Sequence, residues 1–111
     1  MAVLAPTFPA PFPSNIKSIR FYETGVATAN FADNKWPFQR VDPANPAIPE
    51  QGWSHTILIR ADSGGGDLEI SFDGTNVHGF CPGGGEVYYQ NRYEGGISVR
   101  GAGTTFHVEA W

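Results

Sequence analysis

The chain has one cysteine, one methionine, three histidines and few charges, with Asp, Glu, Lys and Arg making up 16 % of its 111 residues. Each scarcity removes a class of explanation. A lone Cys81 cannot close an intrachain disulfide, so packing has to hold the fold. The seven Lys and Arg are scattered and the formal net charge is −4, so the basic footprint of a nucleic-acid partner is missing. No apolar run approaches the roughly 18 to 20 residues of a membrane span, and no membrane partner is expected. The opening Met1-Ala2-Val3-Leu4-Ala5-Pro6 lacks the basic and continuous apolar regions of a secretory signal. The low charge also withholds polar surface that a lone monomer would show, which hints at burial between subunits.

What is present is turn-formers and aromatics: 14 Gly, 9 Pro, 14 % aromatic and 41 % hydrophobic residues. That balance favours a single all-β domain with an extensive contact surface. The clearest stretch runs from Asp67 to Gly79. Leu68, Ile70 and Phe72 alternate there with Glu69, Ser71 and Asp73, the period of a strand with one buried face. Asp73-Gly74 then supplies a turn and Val77 to Phe80 a further strand.

The same grammar reads along the chain. Ile19 and Phe21 open a first strand, Gly25 marks a turn, and Val26 to Phe31 gives a weaker second strand. Ser54 to Asp62 puts His55, Ile57, Ile59 and Ala61 on one face and Thr56, Leu58 and Arg60 on the other. Apolar residues on both faces predict a central or doubly covered strand, joined through Ser63-Gly64-Gly65-Gly66 into a hairpin with the Asp67 strand. Glu86 to Gln90 follows, then Ile97 and Val99 inward, then Phe106, Val108 and Ala110 inward up to Trp111. The expectation is an antiparallel β-sandwich or jelly roll of seven or eight short strands, occupying residues 16–111.

Two segments depart from this pattern. Residues 1–15 carry Pro9, Pro11 and Pro13 at alternate positions, which forbids a helix and favours an extended arm. Phe8 and Phe12 on that arm would each contribute about 1.5–3 kcal/mol if buried, so it reads as a hook onto a neighbouring subunit or onto the chain's own body, against the plainer alternative of a loose terminus. The Pro-rich stretch 32–53 has no regular pattern, and such long loops are commonly functional or interfacial. Trp36, Phe38 and Trp53 lie in or beside it; they either cover an open end of the core or contact a partner.

No motif carries catalysis. His55, His78 and His107 lack a second His or Cys at metal-ligand spacing. His107 and Glu109 share an outward face, which stays an ordinary wet face without a third partner. The acidic residues Asp62, Asp67 and Asp73 bracket glycine turns, where Asp binds local backbone. The glycine runs lack the Gly-Lys-Ser/Thr of a phosphate loop. Cys81 has no constellation that would make it a nucleophile, and no enzyme, metal or cofactor is expected. A binding role is better supported: Tyr88, Tyr89 and Tyr93, with Arg92 between them, are interface-type residues, and aromatic faces also stack on sugar rings. The plain alternative is that these tyrosines finish the core, although alternation leaves at least one exposed.

The C-terminal run Leu68-Glu69-Ile70-Ser71-Phe72-Asp73-Gly74, Val77-His78-Gly79, a Pro-Gly turn, Gly96-Ile97-Ser98-Val99-Arg100-Gly101 and Phe106-His107-Val108-Glu109-Ala110-Trp111 resembles small accessory virion proteins of tailed bacteriophages. The resemblance covers roughly the last 40 % of the chain. It implies a non-enzymatic capsid decoration or cement protein, made in the host cytoplasm and seated on the virion surface. Its partner would be the major capsid protein, and accessory proteins of this kind are often homotrimers. Neck or tail components are the close alternative, and a tail-tip carbohydrate- or receptor-binding sandwich a further one. Phe8, Phe12, Trp36, Phe38 and Trp53 are then the expected contacts, and Tyr88, Tyr89, Arg92 and Tyr93 a second surface.

Overall fold

Strand alternation in this chain is translated directly into burial. The computed structural model describes residues 19–40, 44, 47 and 50–111; the arm with Phe8 and Phe12 lies outside them. Among the described residues the elements are β1 (Phe21–Val26), a single 3-10 turn η1 (Phe31–Asp33), β2 (Lys35–Pro37), β3 (Gln39–Arg40), β4 (Glu50–Gln51), β5 (Thr56–Ala61), β6 (Leu68–Ser71), β7 (Gly79–Cys81), β8 (Glu86–Gln90), β9 (Gly96–Arg100) and β10 (Thr105–Ala110). No α-helix occurs among them.

Eight strands form two four-stranded sheets, ordered β1-β10-β5-β8 and β2-β9-β6-β7, while β3 and β4 pair as a separate two-stranded piece. Every pairing is antiparallel. The pairs nest in sequence: β6 with β7, outside them β5 with β8, then β2 with β9, then β1 with β10. The inward residues of both sheets join one hydrophobic cluster. Ile57, Ile59, Ala61, Phe106, Val108 and Ala110 come from the first sheet, and Leu68, Ile70, Cys81, Ile97 and Val99 from the second. Each large aliphatic or aromatic member stabilises by about 1.5–3 kcal/mol on burial. β5 is a central strand, flanked by β10 and β8, and its outward Leu58 is also buried.

Three local expectations are corrected. Gly25 is not a turn; it lies inside β1 opposite Phe106, and the chain beyond Val26 runs into η1 rather than a second strand. Ser63 to Gly66 does not close a hairpin, because β5 and β6 belong to different sheets. That glycine run is a crossover, pinned where the Thr104 hydroxyl donates to the Gly65 carbonyl at 2.8 Å. Finally, the stretch 32–53 is not free of regular structure, since β2, β3 and β4 lie within it. Two- and three-residue strands next to prolines leave too few positions for alternation to register.

Candidate interaction surface

The aromatics expected to act in binding divide by burial. Phe38 is 0 % exposed. Its ring lies 5.2 Å from Phe21, which is in turn 6.1 Å from Trp36, and Trp36 is 5.3 Å from Phe106. These four rings form one aromatic chain, Phe38 and Phe106 within the core cluster and Phe21 and Trp36 packed against it. Phe38 thus gives packing rather than contact area, and Trp36 is half-buried against the core. Trp53 remains exposed beside Gly95.

The Tyr88 to Tyr93 cluster splits along the strand period. Tyr88 points outward and is 52 % exposed. Tyr89 points inward, edge-on to Phe72 at 5.2 Å, and burial pushes its phenol pKa up, against the Arg92 charge, which lowers it. A methyl group at Gly79 would run into the Tyr89 hydroxyl, so a larger residue there would have to displace that ring. The Arg92 guanidinium lies 4.3 Å over the Phe72 ring and pairs with Glu94 at 2.6 Å. Buried Ser54 fixes this loop by donating to the Arg92 carbonyl and accepting from the Glu94 N–H. Tyr93 packs edge-on against His55 at 5.5 Å. Arg92 and Tyr93 thus take part in the loop's own structure, and Tyr88 and the exposed Arg92 are the members that reach solvent.

The titratable groups have separate surroundings. The His78 Nδ1 accepts from the Phe72 N–H at 2.9 Å, and its Nε2 is 3.7 Å from Asp73. The Cys81 thiol is buried near the Gly85 carbonyl at 3.4 Å, and burial pushes its pKa up. His107 has Asp62 3.3 Å from Nε2 and the Thr24 hydroxyl 3.3 Å from Nδ1. Thr24 donates its proton to the Phe106 carbonyl at 3.0 Å, so it offers none to the ring. Asp73 alone of the three turn aspartates binds local backbone; Asp67 accepts from the distant Gly83 N–H at 2.9 Å. No group of three His, Cys, Asp or Glu that could hold a metal occurs among the described residues.

Register, which sequence could not supply, assembles a surface from residues far apart in the chain. On the outer face of the β1-β10-β5-β8 sheet, Tyr22, Glu109, Leu58 and Tyr88 form one row across all four strands. Trp111 adjoins it, exchanging both backbone hydrogen bonds with Thr56 at 2.8 and 3.0 Å. Tyr22, Tyr88 and Trp111 are exposed. The next row, Thr24, His107, Arg60 and Glu86, is polar, with Arg60 3.9 Å from Glu86 and His107 3.3 Å from Asp62 beside the row. The face therefore has an aromatic row and a polar row. Of its exposed aromatics, Tyr88 alone had a sequence signal as a binding residue. Tyr22 and Trp111 were missed because each is an isolated aromatic whose neighbours lie on other strands.

Of two hollows among the described residues, neither is lined by Tyr22, Tyr88 or Trp111, although the smaller opens on the polar row of this face through Arg60 and Glu86. The larger, about 420 Å³, is lined by Lys35, Trp36, Phe72, Asp73 and Gly96 among others, and the smaller, about 270 Å³, by Arg60, Asp62, Ser63 and Glu86. No helix among the described residues is long and apolar enough to cross a membrane. In comparison with known proteins, no family model, curated protein or solved structure matches the chain.

Proposed function

We propose that this chain is an accessory structural protein of a tailed-bacteriophage particle, a non-enzymatic decoration or cement protein that bridges neighbouring major capsid subunits. The fold we assign within that reading is a β-sandwich wound as a jelly roll. The nested pairing of β1 with β10, β2 with β9, β5 with β8 and β6 with β7 supports it, because one long antiparallel ribbon rolled up gives that order. Jelly rolls are a frequent form of capsid and lectin domains. The winding alone does not select a function.

One observation carries the reading: three aromatic side chains, Tyr22, Tyr88 and Trp111, stand exposed on a single sheet face. Aromatics held on a sheet lose little conformational freedom on contact and desolvate large areas, as interface centres require. Repeated over many copies across a shell, modest contacts gain strength through avidity. The same aromatics keep a second reading in view, a tail-tip module that stacks on sugars.

The test is to image virions of the phage that encodes the chain, and to add the purified protein to heads lacking it. Stoichiometric density over the capsid lattice, with heads that then withstand heating better, is the expected result. Absence from purified heads overturns the cement role. Retention on a glycan array, abolished in Tyr88→Ala, would move the assignment to the tail-tip reading.

A further inference from the structure

We propose that β1 pairs edge to edge with β1 of a second copy, joining two four-stranded sheets into one eight-stranded sheet across a two-fold axis at Thr24. The inference concerns self-association and does not depend on the virion reading.

The argument begins with which backbone groups are unused. Trp111 exchanges both its hydrogen bonds with Thr56, and the Asp62 N–H donates to the Thr105 carbonyl at 3.0 Å. The odd-numbered residues of β10 therefore face β5 and the even-numbered ones face β1. The Ala27 N–H bound to the Thr104 carbonyl at 2.8 Å continues this phase. Phe21, Glu23 and Gly25 are then consumed by β10, while Tyr22, Thr24 and Val26 turn N–H and C=O to the open edge. None of those backbone groups has a partner among the described residues.

Such edges are ordinarily blunted by brevity, lysine, proline, charge or a bulge. The other outer strands show these devices. β2 is three residues long with Lys35 and Pro37, β7 is three residues long and runs into Pro82, and β8 has Glu86 at an open-edge position. β1 has six residues, Phe-Tyr-Glu-Thr-Gly-Val, with no Lys or Pro and an unbroken register against β10; its one charge, Glu23, sits at a position whose backbone is turned to β10 and not to the open edge. Two of its exposed members, Tyr22 at 58 % and Val26 at 62 %, are large hydrophobics.

The strand is also complementary to itself. An antiparallel two-fold at Thr24 sets Tyr22 against Val26 of the second copy and Thr24 against Thr24. These are an aromatic–β-branched pair and a threonine pair, both favourable across strands. Glu23 meets Gly25, so no like charges stand opposite each other. Arg20, exposed just before β1, comes level with Thr28 of the second copy, whose hydroxyl donates to the Asp33 carboxylate at 2.9 Å. A basic group thus reaches an acidic one twice, once on each side of the axis. A two-fold contact gives a dimer, not the threefold ring implied by the phage resemblance.

The experiment is light scattering on the full chain, on Val26→Lys and on Thr24→Pro, with amide exchange read at Tyr22, Thr24 and Val26. The full chain should show twice the chain mass at micromolar concentration. Val26→Lys places a charge on an already exposed position and should give a folded monomer. Thr24→Pro removes an N–H that the fold does not use, together with the hydroxyl bound to the Phe106 carbonyl, so its unfolding midpoint is measured alongside. With both copies changed it should weaken association by about 100-fold, tenfold for each of two lost hydrogen bonds. The three amides should gain protection as concentration rises. A monomer or trimer for the full chain overturns the proposal. So does a dimer unaffected by Val26→Lys, or protection that ignores concentration, which would mean that the chain's own segment fills the edge.

Discussion

The outer faces of the two main sheets are treated in opposite ways. On the β2-β9-β6-β7 sheet the outward serines Ser71 and Ser98 are buried, at 0 % and 1 % exposure. On the β1-β10-β5-β8 sheet the outward Tyr22 and Tyr88 are more than half exposed. Polar groups lie under cover and aromatic ones in water, the reverse of the usual partition. The chain closes the first face with its own parts. Phe31 of η1 sits 4.2 Å beneath the Arg100 guanidinium, Arg100 pairs with Glu69 at 2.7 Å, and the 71–76 loop folds down on Ser71. Exposed apolar groups on that side, Val77 and Phe80, sit along or beside the β7 edge. The second face receives no such cover among the described residues. A face that a chain leaves aromatic and open is where another surface is expected.

Matched truncations test this contrast most strongly. Phe31 is 5 % exposed on the closed face, so Phe31→Ala should lose about 3–5 kcal/mol of stability, the transfer term plus the cavity. Denaturant midpoints at constant slope measure it. A loss below about 1 kcal/mol would mean that η1 is a surface ornament and that the first face is not closed in any energetic sense.

Next in size is the knot at Ser71. Its hydroxyl donates to Asp73 Oδ1 at 2.9 Å and accepts from the Gly74 N–H at 2.8 Å, with a longer contact of 3.3 Å from the Asp73 N–H. Ser71→Ala leaves these groups without the oxygen they were built around, at a cost of about 1–3 kcal/mol. Crystals of the variant should show the 73–76 loop displaced while β6 stays in place. An unmoved loop would transfer the closing role to Lys35, which packs against Gly74.

How much of this contrast could be read in the sequence depends on distance along the chain. The inward sets of β5, β6, β9 and β10 were legible, because alternation is a property of one strand and its own core face. The split of Tyr88 from Tyr89 was legible for the same reason. What alternation cannot give is the neighbour. That Gly25 lies within a strand, that the Gly64-Gly66 run crosses between sheets and that Phe38 is buried all follow from pairings between residues distant in sequence. The closed face was illegible too: Ser71 reads as an outward polar residue until the next turn is known to fold back onto it.

A third prediction sharpens the contrast through pH. Asp73 Oδ1 accepts from the N–H groups of Thr75 and Asn76, each at 2.8 Å, and Oδ2 from the Asn76 amide at 2.7 Å. The Asn76 N–H first, then the Thr75 N–H, hold this carboxyl well below the usual carboxylate range. A depressed folded pKa means that the contribution is fully present above the ordinary value of about 3.9 and is lost as pH falls through the folded value. On acidification the amide resonances of Thr75 and Asn76 should hold through the ordinary carboxylate range, about pH 4, and shift only well below it, as Asp73 itself takes up its proton. Asp73→Asn should remove that late step. Simultaneous movement of both faces would show that the loop has no independent equilibrium.

The smallest effect on the fold belongs to the open face, and its smallness is the point. Tyr22→Ser and Tyr88→Ser remove aromatic surface that water already reaches, so each should change unfolding free energy by no more than about 0.5 kcal/mol. Leu58, between them in register through Glu109, limits how far that can be generalised, since it is buried and its truncation would cost more. The same two substitutions should weaken attachment to particles well beyond their effect on stability, because interface centres derive their strength from aromatics desolvated only on contact. Stability and attachment falling together would show that these rings complete the molecule's own core, and both faces would then be closed. Stability held with attachment lost would establish the open face as one that the chain leaves for a partner to cover.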